Sequence, residues 1–361
     1  MTWNSVLRNM NEKNKHSVRK RAAVVLSVLS VLCLAVFCGG CAGKLSGADQ
    51  ETKADSGQDN RLRVVTTIFP PYDFVREIAG DRADLKMLLK PGEESHSYEP
   101  TPQDIIAIQD CDIFIYTGGE NDVWVEDILS SMPDNDRLTL RLTDCVETVE
   151  EEHVEGMKES GGHEHEEDAS DADEASDHGS EPESVHEIDE HVWTSPVNAS
   201  AITEGICRLL CRADPENSSV YEENTADYQE ELAGLDGQFR DVVAHAKRHV
   251  LIFGDRFPFR YFADEYGLDY YAAFPGCAGD TEPSAATMVF LIRKAQEEQV
   301  PSVLKMELSN DDIANAVAEA AGTDVRVFYS CHNLSADDFE NGETYLSMMQ
   351  KNVETLKEVL N

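Results

Sequence analysis

The sequence predicts an α/β protein: two lobes with parallel sheets, joined by a long rigid backbone helix. Short β-branched runs alternate with helical segments before residue 150 and again after residue 248, the pattern of a parallel sheet with crossover helices. Between the two sets, residues 214–247 hold few strong breakers and place apolar side chains at 228, 232, 235, 239, 242 and 243, the stripe of one long amphipathic helix. The body of the chain, about 300 residues, exceeds one typical core, so two lobes are expected.

In the first lobe, residues 62–213, Arg63 to Phe69 is a β-branched run that reads as a buried strand, stopped by Pro70-Pro71. Tyr72 to Ala79 has helical spacing and Asp84 to Leu89 reads as the next strand. Thr101-Pro102-Gln103-Asp104 is a helix start, with an N-cap hydroxyl, a proline in the first turn and an acid at the third position. Asp112 to Tyr116 is a third buried strand, Val123 to Ser130 a helix, Leu138 to Leu142 a further strand and Asn198 to Ala213 a helix. Gly234 and Gly237 weaken the middle of the linking helix. The second lobe, 248–361, begins at Val250 to Phe253 as a strand, followed by a helix over Phe259–Tyr266 and a strand over Leu268–Ala273. A periodic helix at Ala285–Glu298, a strand at Ser302–Glu307, a helix at Asp311–Ala321, a strand at Val325–Phe328 and a terminal helix at Tyr345–Leu360 complete it. A ligand of such a fold belongs in the cleft between lobes, at the loops that follow strand ends.

Residues 1–41 have the form of a bacterial export leader: a basic segment with Lys13, Lys15, Arg19, Lys20 and Arg21, an apolar run from Ala22 to Phe37, then Cys38-Gly39-Gly40-Cys41. Small residues before Cys41 resemble a lipobox, although Cys38 stands where the usual leucine would. The alternative is an uncleaved anchor helix. Either arrangement places the body outside the cytoplasm and tethers it to the membrane, with two acyl chains on Cys41 sufficient for stable anchoring. Residues 42–61 are polar and suit a flexible tether.

From Glu147 to Glu190 there are 19 Asp and Glu against one Lys, with His153, His163, His165, His178 and His186 among them. Such a tract buries too little apolar surface to offset its ordering entropy, so an insertion over 150–188 is expected to be disordered. Neutral imidazole and carboxylate ligate divalent transition metals; a solvated acidic linker accounts for the composition equally well. The formal net charge of −40, from 30 basic and 70 acidic residues, argues against nucleic-acid binding and favours cationic ligands or plain solubility.

Six cysteines follow Cys41: 111, 145, 207, 211, 277 and 331. No C-x-x-C pair is present among them, so zinc-ribbon and thioredoxin readings have no support. Cys207 and Cys211 share a helix face, where burial as small apolar groups is the better expectation. Cys111 and Cys145 are candidates for a first-lobe pair.

Three loops carry histidines: Pro91 to Pro100 with His96, Asp189 to Pro196 with His191, and Ser330 to Leu334 with His332. Taken singly, each suits a surface position. Together, drawn from both lobes, they supply three imidazoles toward a tetrahedral site.

Gly92 to Pro102, GEESHSYEPTP, resembles the G-x-x-x-H-x-Y/F-E-P-T-P segment of the solute-binding lipoproteins of zinc and manganese ABC importers. Asp189-Glu-His191-Val-Trp193 resembles that family's D-P-H-x-W motif, and Glu282-Pro283-Ser284 its E-P-S segment. The likeness runs from about Arg63 to Asn361 and implies the zinc-uptake branch. Carried over, His96 and His191 become metal ligands. The family's third ligand lies in an H-D-A-F-x-Y-F-like segment, where this chain reads Gly254-Asp-Arg-Phe-Pro-Phe-Arg-Tyr-Phe262 with no histidine. His332 takes a place comparable to the family's last acidic ligand. The resemblance therefore implies a site of His96, His191 and His332, with Asp255 as first candidate for a fourth ligand. Glu307 and Glu282 are outsiders, and Glu307 could instead orient a ligand histidine. It also implies a Cys277–Cys331 disulfide beside the site, with Cys331 as a ligand the competing possibility.

Three imidazoles favour Zn2+ over Mn2+, which prefers more oxygen ligands. The expected function is that of an extracytoplasmic, monomeric zinc-binding lipoprotein that hands Zn2+ to an ABC permease, the acidic His-rich insertion collecting zinc nearby. A manganese-binding homologue, a metal buffer and a cell-adhesion lipoprotein are the alternatives. A zinc hydrolase is disfavoured because no H-E-x-x-H motif or clear general base is present.

Overall fold

The computed structural model describes residues 61–94, 98–133, 136–157, 188–278 and 282–361. The leader, Cys41, the tether, His96 and the insertion histidines 163, 165, 178 and 186 lie outside these residues.

The first lobe is built on β1 (Leu62–Thr66), α1 (Phe69–Ala79), β2 (Ala83–Met87), α2 (Pro102–Asp110), β3 (Ile113–Tyr116), α3 (Val123–Ser131), β4 (Leu138–Arg141) and α4 (Pro196–Ala213). Its four strands are parallel in the order β2-β1-β3-β4. Pro70 and Pro71 do more than end a strand. They sit in the first turn of α1, where the missing N–H has no helical partner to lose. Thr101 and Asp104 close a full capping box on α2.

One unbroken helix, α5 (Ser218–Ala244), leads to the second lobe. Its 27 residues span about 40 Å at the standard rise. Tyr221, Tyr228, Leu232, Leu235, Phe239 and Val242 form its buried face, which packs on α1 and α4 of the first lobe and on α6 and α10 of the second. Gly234 and Gly237 do not interrupt it, and a Cβ at either would meet nothing within 4 Å. They stand on the solvent side, where the cost is propensity alone.

The second lobe repeats the plan: β5 (Val250–Phe257), α6 (Arg260–Tyr266), β6 (Asp269–Pro275), α7 (Ala285–Glu297), β7 (Ser302–Lys305), α8 (Asp312–Ala321), β8 (Asp324–Val327), the short α9 (Ala336–Glu340) and α10 (Tyr345–Leu360). Its parallel strand order, β6-β5-β7-β8, is that of the first lobe. In both sheets the order reverses beside the first strand, β1 or β5, which opens a crevice at the strand carboxyl ends. A single apolar cluster runs through both lobes, from Phe74 and Trp193 through Tyr228 to Phe253, Phe328 and Tyr345. No helix among the described residues is long and apolar enough to cross a membrane.

β5 runs four residues beyond the expected Phe253, with a register shift against β6 between Phe253 and Arg256. Gly254 is required there because a Cβ would collide with the backbone of Ala314 in α8. Gly254→Val should destabilise the protein by about 1–3 kcal/mol through overpacking, read as a lower denaturant midpoint at unchanged slope.

Asp73 in α1 accepts the backbone N–H of Tyr345 at 2.7 Å and pairs with Arg76, which ties the terminal helix to the first lobe. Burial pushes its carboxyl up to about 6, against the opposing pull of Arg76 and the Tyr345 N–H. The folded state then holds this proton more tightly than the unfolded chain. The resulting stability is full below the ordinary value of 3.8 and is lost as pH rises through about 6. Asp73→Asn keeps an acceptor for Tyr345 and should flatten the fall in unfolding free energy across that window, measured by urea titrations at several pH values.

Candidate metal centre

The loop after residue 188 is built around a buried indole. Asp189, Glu190, His191, Val192 and Trp193 are all 1 % exposed or less. Ser195 caps α4 by accepting from Asn198 N–H, so the loop is stopped by a helix start that the sequence encodes. Asp189 accepts both the backbone N–H of His191 at 2.9 Å and, at 3.0 Å, contacts its Nδ1. A carboxylate on Nδ1 fixes tautomer and ring orientation, the arrangement found behind metal-ligating histidines. Burial pulls the His191 pKa down, but Asp189 and then Glu190 and Glu151 outweigh it and the net direction is upward.

His332 arrives from the second lobe, on the loop after β8. Its ring lies 5.7 Å from the His191 ring, centroid to centroid, and 5.0 Å from Trp193. Trp193 Nε1 donates to the Ser330 carbonyl at 2.9 Å, so the two histidine loops are fastened to each other. The Cys331 backbone within that loop is left-handed, with φ +59°, a conformation uncommon for a non-glycine residue. Asn333 Nδ2 donates to the carbonyls of Lys90 and Glu93, each at 2.8 Å, and Gly92 N–H donates to Leu334 O at 2.8 Å. The segment that leads toward His96 is thus docked on the His332 loop. On the far side Tyr98 donates to Asp104 at 3.1 Å.

His191, His332, Glu307, Arg256 and Glu94 line one cleft. Glu307 is where the sequence allowed a supporting role. Its carboxylate accepts Ser330 N–H at 2.7 Å and the Ser330 hydroxyl at 2.8 Å, which braces the His332 loop. Burial pushes its pKa up to about 7, although both Ser330 donors pull it down. A second crevice at the first-lobe switch point is lined by Thr67, Thr117, Asp122 and Glu190 and also reaches His332. Burial, then the charge of Glu190, pushes Asp122 up to about 7.

Several expectations are corrected. Asp255 does not face the cleft; because β5 continues through it, its carboxylate turns inward. One oxygen accepts Arg256 N–H at 2.8 Å, the other Met306 N–H at 2.9 Å and the Ser309 hydroxyl. Its oxygens are spent on anchoring the loop after β7. Glu282 is exposed ahead of α7, whose N-cap is Ser284, and lines neither crevice. His153 is exposed on the stem of the insertion.

The Cys277–Cys331 disulfide is absent: both thiols are free. Cys331 is buried in the common core with its Sγ toward Tyr329 O at 3.9 Å, whereas Cys277 sits at the end of β6 beside Glu190 and His191. Cys331 faces the core and lines neither crevice. Cys111 and Cys145 are also free, and Cys207 and Cys211 face each other as thiols at 3.9 Å along α4.

Two residues beside the cleft have partners that the sequence did not show. Arg256 makes a bidentate ion pair with Glu94 across the lobes, at 3.1 and 3.3 Å; the charge was visible in the sequence but its partner was not. Cys277 was assigned to a bridge. Its amide donates to Glu151 at 2.8 Å, and burial, then Glu190 and Glu151, hold its thiol pKa above the usual range.

Comparison with known proteins places this geometry. Residues 64–359 match the family model described as zinc-uptake complex component A, periplasmic. The zinc-binding lipoprotein AdcA of Streptococcus pneumoniae is 32 % identical over 300 residues, which are 83 % of this chain and 56 % of that protein. The chain thus spans little more than half the length of these AdcA relatives. The high-affinity zinc uptake system protein ZnuA of Bacillus subtilis is 31 % identical over 344 residues, 94 % of this chain and 98 % of that one. Among solved structures, the Zn(II)-bound ZnuA-like domain of the pneumococcal AdcA superposes with a TM-score of 0.65 at 28 % identity, covering 83 % of this chain and 99 % of that one. With its paired parallel lobes, its linking helix and a family match over nearly all of the described body, the chain belongs to the family of zinc-uptake complex component A, periplasmic.

Proposed function

We propose that this protein is an extracytoplasmic zinc carrier: it takes Zn2+ in the interlobe cleft and delivers it to the permease of an ABC importer, held at the membrane as a monomer through lipidated Cys41. The observation that carries the reading is the meeting of His191 and His332, from different lobes, at a ring separation of 5.7 Å, with Asp189 set behind His191. A pair of imidazoles, one of them oriented from behind by a carboxylate, suits Zn2+. His96 is the third imidazole of the proposed site. Asp255 and Glu282 are dropped from it, and Glu307 acts on the ion through the loop it braces. The names of the relatives, zinc-binding and zinc-uptake proteins in S. pneumoniae and B. subtilis, support the cargo. The reading is of a stoichiometric carrier with no chemistry of its own. The ion leaves when the ligand loops separate.

Isothermal titration with Zn2+ tests it. One tight site is expected, to persist when residues 158–187 are deleted and to weaken by more than about tenfold in His191→Ala and in His332→Ala, since even groups behind ligands are worth that much. Tight binding that vanishes with the deleted segment and is indifferent to both histidines would overturn the cleft assignment.

A further inference from the structure

The turn after β6 is pressed against His191. A Cβ at Gly276 would stand 3.1 Å from His191 Cε1 and 3.1 Å from the Phe257 carbonyl, so a side chain here would push on the His191 ring and the end of β5. The next residue, Cys277, is half-buried with a free thiol. Its backbone is pinned by Glu151, which accepts its N–H. As a result one ligand atom each from Cys277, His191 and Glu190 lie within 4.8 Å of one another. Three donor types from two chain segments, the Glu190-His191 loop and the turn after β6, converge there, and Gly276 lines the same cleft as His332 and Glu307.

We propose that Cys277 is a metal ligand, so that the cargo ion is held partly by sulfur, with His191 and Glu190 as its neighbours in the coordination sphere. This rests on the reading of the cleft as the zinc site and adds the ligand that sets its selectivity. Thiolate with imidazole suits Zn2+ and softer ions; Mn2+ and Ca2+ favour oxygen. When the ion binds, a metal–sulfur bond forms and the thiol proton leaves to solvent, with no change of oxidation state. Glu190 is held by Asn121, whose amide and side chain both donate to it, so the carboxylate is presented in a fixed direction. Cys277 replaces Asp255 as the second lobe's contribution near the end of β5.

Cobalt(II) substitution reads the ligand directly. The wild-type protein loaded with Co2+ should show the near-ultraviolet sulfur-to-cobalt charge-transfer band, and Cys277→Ser and Cys277→Ala should lose it. Zinc affinity of both variants should fall by more than about tenfold, with Mn2+ affinity changed far less. Bound cobalt without the band in the wild-type protein overturns the proposal whether or not the variants fold. A band that survives in Cys277→Ser overturns it as well and assigns the sulfur elsewhere. Failure of the underlying zinc reading looks different: cobalt then does not bind, or its ligand-field bands ignore His191→Ala.

Discussion

The hydrogen bond from Trp193 to the Ser330 carbonyl is the contact on which the arrangement of the cleft depends. It links Trp193, two residues past His191, to Ser330, two residues before His332, with no solvent on either side of the indole. A buried indole N–H left without an acceptor costs roughly 1–3 kcal/mol, so the loops are selected in register as a pair. Tyr345 adds a second tie by donating to the Trp193 carbonyl at 2.7 Å, and Tyr261 a third, to Asp189 O at 2.7 Å. Backbone carbonyls of the first lobe are thus satisfied by side chains of the second. The position of His191 relative to His332 follows from these bonds more than from the sheets themselves.

The sheets contribute the directions. Identical strand order gives each lobe a switch-point crevice at its strand carboxyl ends, and α5 spans the two lobes by burying one face against helices of both. The shared core means that the lobes are not independent bodies joined by a linker. Phe74 packs against both Tyr228 and Tyr345, at centroid separations of 6.0 and 5.0 Å, so the start of the chain body, its middle helix and its terminal helix meet at one point.

Much of this was legible in the sequence because it is local. β-branched runs, capped helix starts such as Thr101 to Asp104 and the apolar stripe of residues 228–242 specify elements by their own periodicity. His191 and His332 were legible as loop histidines, the first ahead of a helix start and the second after a strand-like run. What failed was nonlocal. Asp255 looked available because nothing in Gly254-Asp-Arg shows that β5 continues or that Met306 and Ser309 will claim the carboxylate. Cys277 and Cys331 looked like a pair because two cysteines in neighbouring loops carry no record of which way their sulfurs point. The prolines at 70 and 71 were ambiguous between strand end and helix start, and only packing of Phe69 and Phe74 in the core resolves them.

Arg256 gives the cleft an internal cation. A guanidinium keeps its charge at any physiological pH, and here it neutralises Glu94 through two hydrogen bonds while Nη1 also reaches the Ala278 carbonyl at 3.4 Å. An incoming dication therefore meets a wall whose negative charge is already partly spent, and the Coulomb repulsion from a fixed positive neighbour acts on it throughout its stay. On the proposed carrier reading, that repulsion loosens the hold of the cleft on its ion and favours release over storage.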